Sequence, residues 1–383
     1  MSDHVCRACR SRSGHLVLDL GEQPACDYFP AAGDPGPDPE YPLQMWLCAG
    51  CGLAQLVADP TVPEEPRGAE PAALVDQAAD AVGRAAAAGL LQPGSSVTEY
   101  GSPHGGSWLS LLAERGLTPA SPGERADVIV DCFGMMHAAD QAAAISERVA
   151  KLSDSGVLLL QYHSLSAIIR GGQWNALRHA HYAYYSTTAL TGLLAAHGLQ
   201  AQAAWQFDLY GGTVLLAAGR HAVPGSAGRE GVNDLLADDA SVGVTDPDVL
   251  GGLGRDAIAG ADGLRAWLIA QQQEGRSVIG YGAASRAVAL LRRAGIDRDL
   301  LPAVVDASPA KVGLRMPGTD IPVVSSSELA ARRLDAVLLF LADLRAEVQA
   351  TYPGVEGHGG QWVDADGLAG WQSSTSGGLK QHA

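Results

Sequence analysis

Two Cys-x-x-Cys pairs, Cys6/Cys9 and Cys48/Cys51, constrain the N-terminal part of this chain more than any other feature. In a reducing compartment such pairs read as the four ligands of one tetrahedral zinc ion, not as disulfides. Four thiolates leave no open coordination position for a water, so the site is structural. The stretch between the pairs is long enough that it must carry strands or turns of its own. Cys26 and Cys132 lie outside the pairs and are expected in the interior.

At 383 residues the chain exceeds one ordinary core. It holds 26 basic against 42 acidic residues, a formal charge of -16, with no Lys/Arg cluster. Nucleic acid and anionic membrane are therefore disfavoured as partners, because their phosphates would be repelled. A phosphorylated small molecule remains compatible, since a few backbone amides and one Arg suffice to hold it. No apolar run is long enough to span a bilayer, and MSDHVCRACR lacks the apolar segment of a secretory signal. The expectation is a cytoplasmic protein.

Residues 1–60 form the expected zinc module, and ADPTVPEEPRGAEP (58–71) reads as a linker. A helix through AALVDQAADAVGRAAAAGLL opens a second domain, 72–220, in which apolar strands such as ADVIVDCF and GVLLLQYH alternate with helices. That alternation implies a parallel sheet. The polar, Gly-rich residues 218–250 read as a second linker, before a third domain at 251–372 with the same alternation. The expected class is α/β: a small N-terminal zinc module followed by two doubly wound, Rossmann-like domains.

Three stretches carry candidate chemistry. Glu99-Tyr-Gly101-Ser102-Pro-His-Gly105-Gly106 follows a strand and opens a helix, a geometry that lets backbone amides approach a ligand. An empty strand–turn–helix junction would look the same. Gly280-Tyr-Gly282-Ala-Ala-Ser-Arg286 repeats the device, with Asp306 and Lys311 after the next strand. There Asp306 suits ribose hydroxyls and Lys311 a phosphate; alternatively Asp306 caps a turn and Lys311 lies in solvent. The third stretch, RHAHYAYYS (178–186), crowds His179 and His181 against Tyr184 and Tyr185. A histidine is a competent base at neutral pH, and tyrosines can hydrogen-bond a developing enolate. The bland alternative is a strand with both histidines on one face, bonded to backbone carbonyls. Tyr162-His163 ends the strand GVLLLQYH, and His137 follows another strand end, the kind of position that lines a ligand crevice in open α/β sheets.

Together these pieces resemble the three-domain sugar C-methyltransferases of deoxysugar biosynthesis. CRACRSRSGHLVLDLGEQPACDYFP with YPLQMWLCAGCGLAQL resembles their zinc module, EYGSPHGG their S-adenosylmethionine (SAM) turn, and GYGAASRAVALL with VDASPAKVGLRMPGTDIPV their C-terminal signature. The resemblance implies a nucleotide-linked 4-keto-6-deoxysugar as small-molecule substrate, loss of a proton beside its ketone, and transfer of a SAM methyl to the enolate. It implies His181 as base, in a stretch that also holds His179, with Tyr184 or Tyr185 to steady the enolate oxygen; Tyr162 and His163 join the candidates from their strand end, and Arg178 as a residue able to bind a carboxylate or phosphate. Cofactor contacts are expected at Glu99, Gly101, Ser102, Gly105, Gly106, Glu124, Asp131 and His137, and nucleotide contacts at Gly280, Gly282, Arg286, Asp306 and Lys311.

The chain departs from that pattern in three ways. Arg178 and Ala180 stand where the family's Tyr-His-Glu-His motif has Tyr and Glu. The segment after the zinc module, VPEEPRGAEPAALVD, has no tyrosine. The SAM domain is short: LTPAS is its only candidate second strand, and Glu124 the only acid after it. These departures leave open an enzyme of this fold that moves protons without SAM, as an epimerase, isomerase, cyclase or eliminating enzyme, or a non-catalytic partner.

Overall fold

Burial of the apolar strands organises two units in the computed structural model, which describes residues 4–61, 70–101, 106–221 and 229–372. One unit comprises Met1–Glu22 and Tyr41–Gly254; the other comprises Gln23–Glu40 and Arg255–Ala383. The expected module 1–60 is thus divided, its middle segment grouping with the C-terminal residues.

The first unit holds two sheets. The smaller runs in the order Gly14–Pro24, Glu40–Cys48, Ala54–Leu56 and Ala183–Tyr184. Its last strand comes from the α/β domain, pairing antiparallel with Ala54 opposite Tyr184 and Gln55 opposite Ala183. Gly14 is obligatory here, because a Cβ would stand 2.2 Å from the fully buried Trp46 ring and 2.3 Å from the Leu47 carbonyl.

The larger sheet has six strands in the order Thr118–Pro119, Ser96–Tyr100, Ala126–Cys132, Leu152–His163, Thr213–Gly219, Gln200–Phe207. The first four are parallel and the last two form an antiparallel hairpin, so FDLYGGTVLLAAG holds the hairpin turn and the strand Thr213–Gly219, which joins the parallel strands to the edge strand Gln200–Phe207. Alternation sends Val128, Val130, Val157 and Leu159 to one face, under helix Ala72–Ala87, whose buried Ala78, Ala81, Val82 and Ala85 follow helical spacing. Ile129, Leu158, Leu160 and Tyr162 face the other way, against helices Gln141–Lys151 and Thr187–Ala196. Ser186 caps the latter, accepting from the Ala189 amide at 3.0 Å. The sheet ends at its two-residue edge strand, and no further strand pairs with it among the described residues.

Residues 218–250, expected as a linker, contain the helix Arg229–Val242 and the start of the helix Pro247–Gln273. Val232 and Leu235, with partly buried Leu236, are the apolar anchors among the described side chains of the first of these, so its pattern is faint. What ties it down is polar: buried Asp239 accepts from Ser166 Oγ at 2.5 Å and from the Thr188 amide and hydroxyl at 2.7 and 2.8 Å. No described helix is long and apolar enough to cross a membrane.

The second unit is built on a five-stranded parallel sheet, in the order Val323–Ser325, Val304–Asp306, Val278–Tyr281, Ala336–Leu339, Gln361–Asp364. Its strand order reverses beside Val278–Tyr281, the position where doubly wound sheets open a crevice. Segment 23–40 is secured to it by a buried ion pair in which both Asp38 oxygens meet Arg315 at 2.6 Å. Burial raises the Asp38 pKa, but the Arg315 and Gly318 hydrogen bonds outweigh that and leave it below its ordinary value. Breaking a buried pair leaves an uncompensated charge, so Asp38→Ala should cost about 3–5 kcal/mol. Urea unfolding measures this loss, and an unchanged midpoint would refute it.

Candidate functional site

The four thiols converge as expected. Cys6, Cys9, Cys48 and Cys51 place their sulfurs within 4.8 Å of one another, with Cys6–Cys51 at 3.5 Å and Cys9–Cys48 at 3.6 Å. A tetrahedron of Zn–S bonds of about 2.3 Å has edges of about 3.8 Å, so the cluster fits zinc with little adjustment. Amides of Cys9 and Gly50 already point at Cys6 and Cys48 sulfurs, at 3.5 and 3.3 Å.

The module reaches the candidate catalytic stretch through Arg7, which lies between the first two ligands. Its guanidinium binds the carbonyls of Leu56, Val57 and Ala139 at 3.1, 3.3 and 2.9 Å and stacks 4.7 Å over the Tyr182 ring. Leu56 donates its amide to the Tyr182 carbonyl at 3.2 Å, extending the pairing of Ala54 with Tyr184.

Residues 178–182 are not a strand. They form a turn with Ala180 at φ 64°, a left-handed conformation uncommon for alanine. The turn sends the two histidines to different surroundings. His179, 1% exposed, meets the Tyr41 ring edge-on at 6.1 Å. His181 faces the His137 ring with centroids 4.4 Å apart. Its Nε2 accepts from Arg178 Nε at 2.8 Å. Since a guanidinium only donates, His181 Nε2 carries no proton in this arrangement. His137 is fixed in turn by its Nδ1 against the Ala180 carbonyl at 3.0 Å. Arg178, His181 and His137 therefore form one group of nitrogen bases and a cation, assembled from two loops.

The tyrosines are placed differently from expectation. Tyr184 is buried, and its hydroxyl accepts from the Arg178 amide at 3.0 Å, so it braces the turn. Tyr185 hydrogen-bonds Gln141 and Tyr162 bonds Thr187 at 2.8 Å, both within the core. Burial raises the pKa of each above its ordinary value. His163 leaves its strand on the opposite face from Tyr162, half-buried, in register with Thr213. On that face buried Gln161 donates to Gln77 at 2.7 Å, and Gln77 donates to Thr213 at 3.3 Å.

At the first Gly turn, Glu99 turns inward, accepting from Ser107 Oγ and the Trp108 amide, both at 2.6 Å. Gly101 is open, with nothing within 4 Å of where a Cβ would stand, while the Glu70 carboxylate lies over Gly106. Ser102 and Gly105 lie outside the described residues. Asp131 is engaged within the fold: its buried carboxylate pairs with Arg148 at 2.5 Å and accepts from the Met135 amide at 2.9 Å. Glu124 is exposed in the turn after the edge strand.

At the second Gly turn, Asp306 and Lys311 hold one residue, Ala283, by its amide and its carbonyl. Asp306 accepts from the Ala283 amide at 2.7 Å and from the Ser308 amide at 2.8 Å, while Lys311 donates to the Ala283 carbonyl at 2.8 Å. Lys311 is buried, 4.8 Å over the Phe29 ring, and so neither lies in solvent nor extends from the turn. Gly280 and Gly282 are buried, and a Cβ on Gly280 would stand 2.9 Å from Phe340. Arg286 is half-buried in the first turn of helix Ser285–Ala294.

Arg7, Gln77, Gln141, Gln161 and Asp59 did not stand out in the sequence. Only Asp59 carried a local signal, the Asp-Pro-Thr turn, in which it accepts from the Thr61 amide at 2.9 Å.

Two tests follow from this geometry. Removing zinc with a chelator should speed amide exchange at Ala183 and Tyr184 as well as at 44–57, because they share a sheet; unchanged exchange at Tyr184 would break the link. For His179, burial lowers the pKa below 6.5, with Asp59 and the Pro42 backbone opposing in part. A base depressed in the folded state contributes stability that is full above the unfolded value, about pH 6.5, and lost as pH falls from there toward the folded value. Urea midpoints should therefore drop between pH 7.5 and 5.5, and His179→Gln should flatten that drop; an equal drop in the variant contradicts the assignment.

Three family models align end to end with this architecture: a zinc binding domain over residues 6–64, a methyltransferase domain over 72–204, and a C-methyltransferase C-terminal domain over 208–365. The C-methyltransferase NovU of Streptomyces niveus is 24% identical over 217 residues, 57% of this chain and 51% of that protein. The chain thus spans about half the length of this curated relative. Among solved structures, a magnesium protoporphyrin IX methyltransferase of Synechocystis PCC 6803 is 14% identical, covering 41% of this chain and 90% of its own, at a TM-score of 0.30. A 1,6-didemethyltoxoflavin-N1-methyltransferase of Burkholderia thailandensis is 15% identical, covering 43% and 94%, at 0.28. Matches to a zinc binding domain, a methyltransferase domain and a C-methyltransferase C-terminal domain thus follow one another in this single chain, in the order of the three-domain C-methyltransferases.

Proposed function

We propose that this protein is a SAM-dependent C-methyltransferase acting beside the ketone of a nucleotide-linked deoxysugar, with His181 as general base. The observation that carries the reading is the 2.8 Å hydrogen bond that Arg178 Nε donates to His181 Nε2, which leaves that nitrogen as the acceptor. A substrate carbonyl arriving between them gives Arg178 a new acceptor and frees the Nε2 lone pair. His181 then takes the proton from the adjacent carbon, and the electron pair of that C–H bond moves into the enolate, whose oxygen Arg178 stabilises. SAM, when bound, would supply the methyl group that the enolate carbon accepts. His137, edge-on to His181, is placed to carry the proton onward.

The open Gly101 at a strand end suits a ligand that approaches the backbone closely.

A second reading has one observation in its favour. The two-residue edge strand leaves the methyltransferase sheet without a further strand on that side among the described residues. Proton transfer at His181 without SAM would fit such a sheet. Incubation with a nucleotide-linked 4-keto-6-deoxysugar in deuterated water separates the two. Methyl transfer predicts S-adenosylhomocysteine release that falls by about 10²–10⁴ in His181→Ala. Deuterium uptake with no S-adenosylhomocysteine would favour the second reading, and an unaffected His181→Ala would refute both.

A further inference from the structure

We propose that Asp59, at the end of the zinc module, is the positioning carboxylate of this site. The inference rests on the reading of His181 as base, and supplies what the sequence of the turn lacks. Ala180 offers no carboxylate beside the base, and it holds a left-handed conformation that alanine rarely adopts. Asp59 reaches this point across 121 residues of sequence: its Oδ2 accepts the Ala180 amide. Its Oδ1 accepts from the Thr61 amide at 2.9 Å and the Thr61 hydroxyl at 2.6 Å. One oxygen thus fixes the carboxylate to its own loop, and the other fixes the turn.

Three consequences meet at Ala180. Its amide is held by Asp59, and its carbonyl by His137 Nδ1 at 3.0 Å. Its left-handed φ sets the angle at which His179 enters the core and His181 turns to His137 and Arg178. A charge-assisted hydrogen bond to a strained peptide is the economical way to hold a turn that no glycine provides. Asp59 therefore acts on His181 through the backbone of Ala180.

The test uses the full, zinc-loaded chain with Asp59→Ala, Asp59→Asn and the double variant Asp59→Ala/Ala180→Gly. Asp59→Ala should speed amide exchange at Ala180 at least tenfold while leaving Tyr184 exchange and zinc content unchanged. Turnover should fall by tenfold or more with KM within about twofold. Asp59→Asn, which keeps an acceptor oxygen, should retain most of the protection and turnover. Ala180→Gly should restore part of both in the Asp59→Ala background, because glycine adopts the left-handed turn unaided. Unchanged exchange at Ala180 in Asp59→Ala overturns the proposal, as does loosened exchange with full turnover. If Asp59→Ala loses zinc or unfolds, Asp59→Asn decides: a fall in its turnover as large as that of a His181→Ala variant, with Ala180 still protected, also overturns it. Should the wild-type protein transfer no methyl group, the exchange measurements still decide the positional part by themselves.

Discussion

The pairing of Ala54 with Tyr184 is the contact on which the candidate site depends. A two-residue strand is too short to stand alone, and this one becomes part of a sheet only because the zinc module supplies a neighbour. That neighbour is itself a three-residue strand, between a cysteine knuckle and the Asp59 turn. Small modules of this size lack a core large enough to be stable unaided, so the thiol cluster substitutes for one. Zinc thus acts at a distance: it orders a knuckle, the knuckle orders a strand edge, and the edge orders the turn that carries His181.

Charged groups in this protein are used mainly to hold backbone in place. Asp131 with Arg148, Asp38 with Arg315, Asp239 with Ser166 and Thr188, and the Asp306–Lys311 grip on Ala283 all close around a peptide or a partner inside the fold. Several of these acids and bases stand at strand ends, where ligand contacts are expected in open α/β sheets. Their position is that of a ligand site, while their bonds are those of a scaffold. The Arg178–His181–His137 group differs, because its members meet as an unprotonated base, a cation and a second imidazole.

The zinc ligands were legible because four thiols at that spacing have few other uses. The strands were legible because buried parallel strands need continuous apolar runs, as in ADVIVDCF. The helix Arg229–Val242 was not, since a few apolar anchors and a buried aspartate make a weak pattern in a Gly-rich stretch. The turn at Ala180 was illegible for a different reason: alanine carries no local sign of a left-handed φ, and the cause lies in a carboxylate far away in sequence. The surroundings of the tyrosines were not legible, because phenols serve equally as core hydrogen-bonders: Tyr184 and Tyr185 of RHAHYAYYS, and Tyr162 from the strand before it, all hydrogen-bond within the fold. The LTPAS segment, read as a short strand, contains the two-residue edge strand Thr118–Pro119 of the larger sheet.

The central claim is that this shortened sheet still serves a methyl donor. Glu124 is the acid expected to reach the donor's ribose; without such a charge-assisted hydrogen bond affinity would fall by on the order of 1.5–3 kcal/mol, roughly ten- to a hundredfold, which weakens a site without abolishing it. Calorimetric titration of the zinc-loaded protein with S-adenosylhomocysteine tests this most directly. Saturable binding in the micromolar range is the predicted result. No binding up to millimolar ligand, in a protein that remains folded and zinc-loaded, would contradict the account.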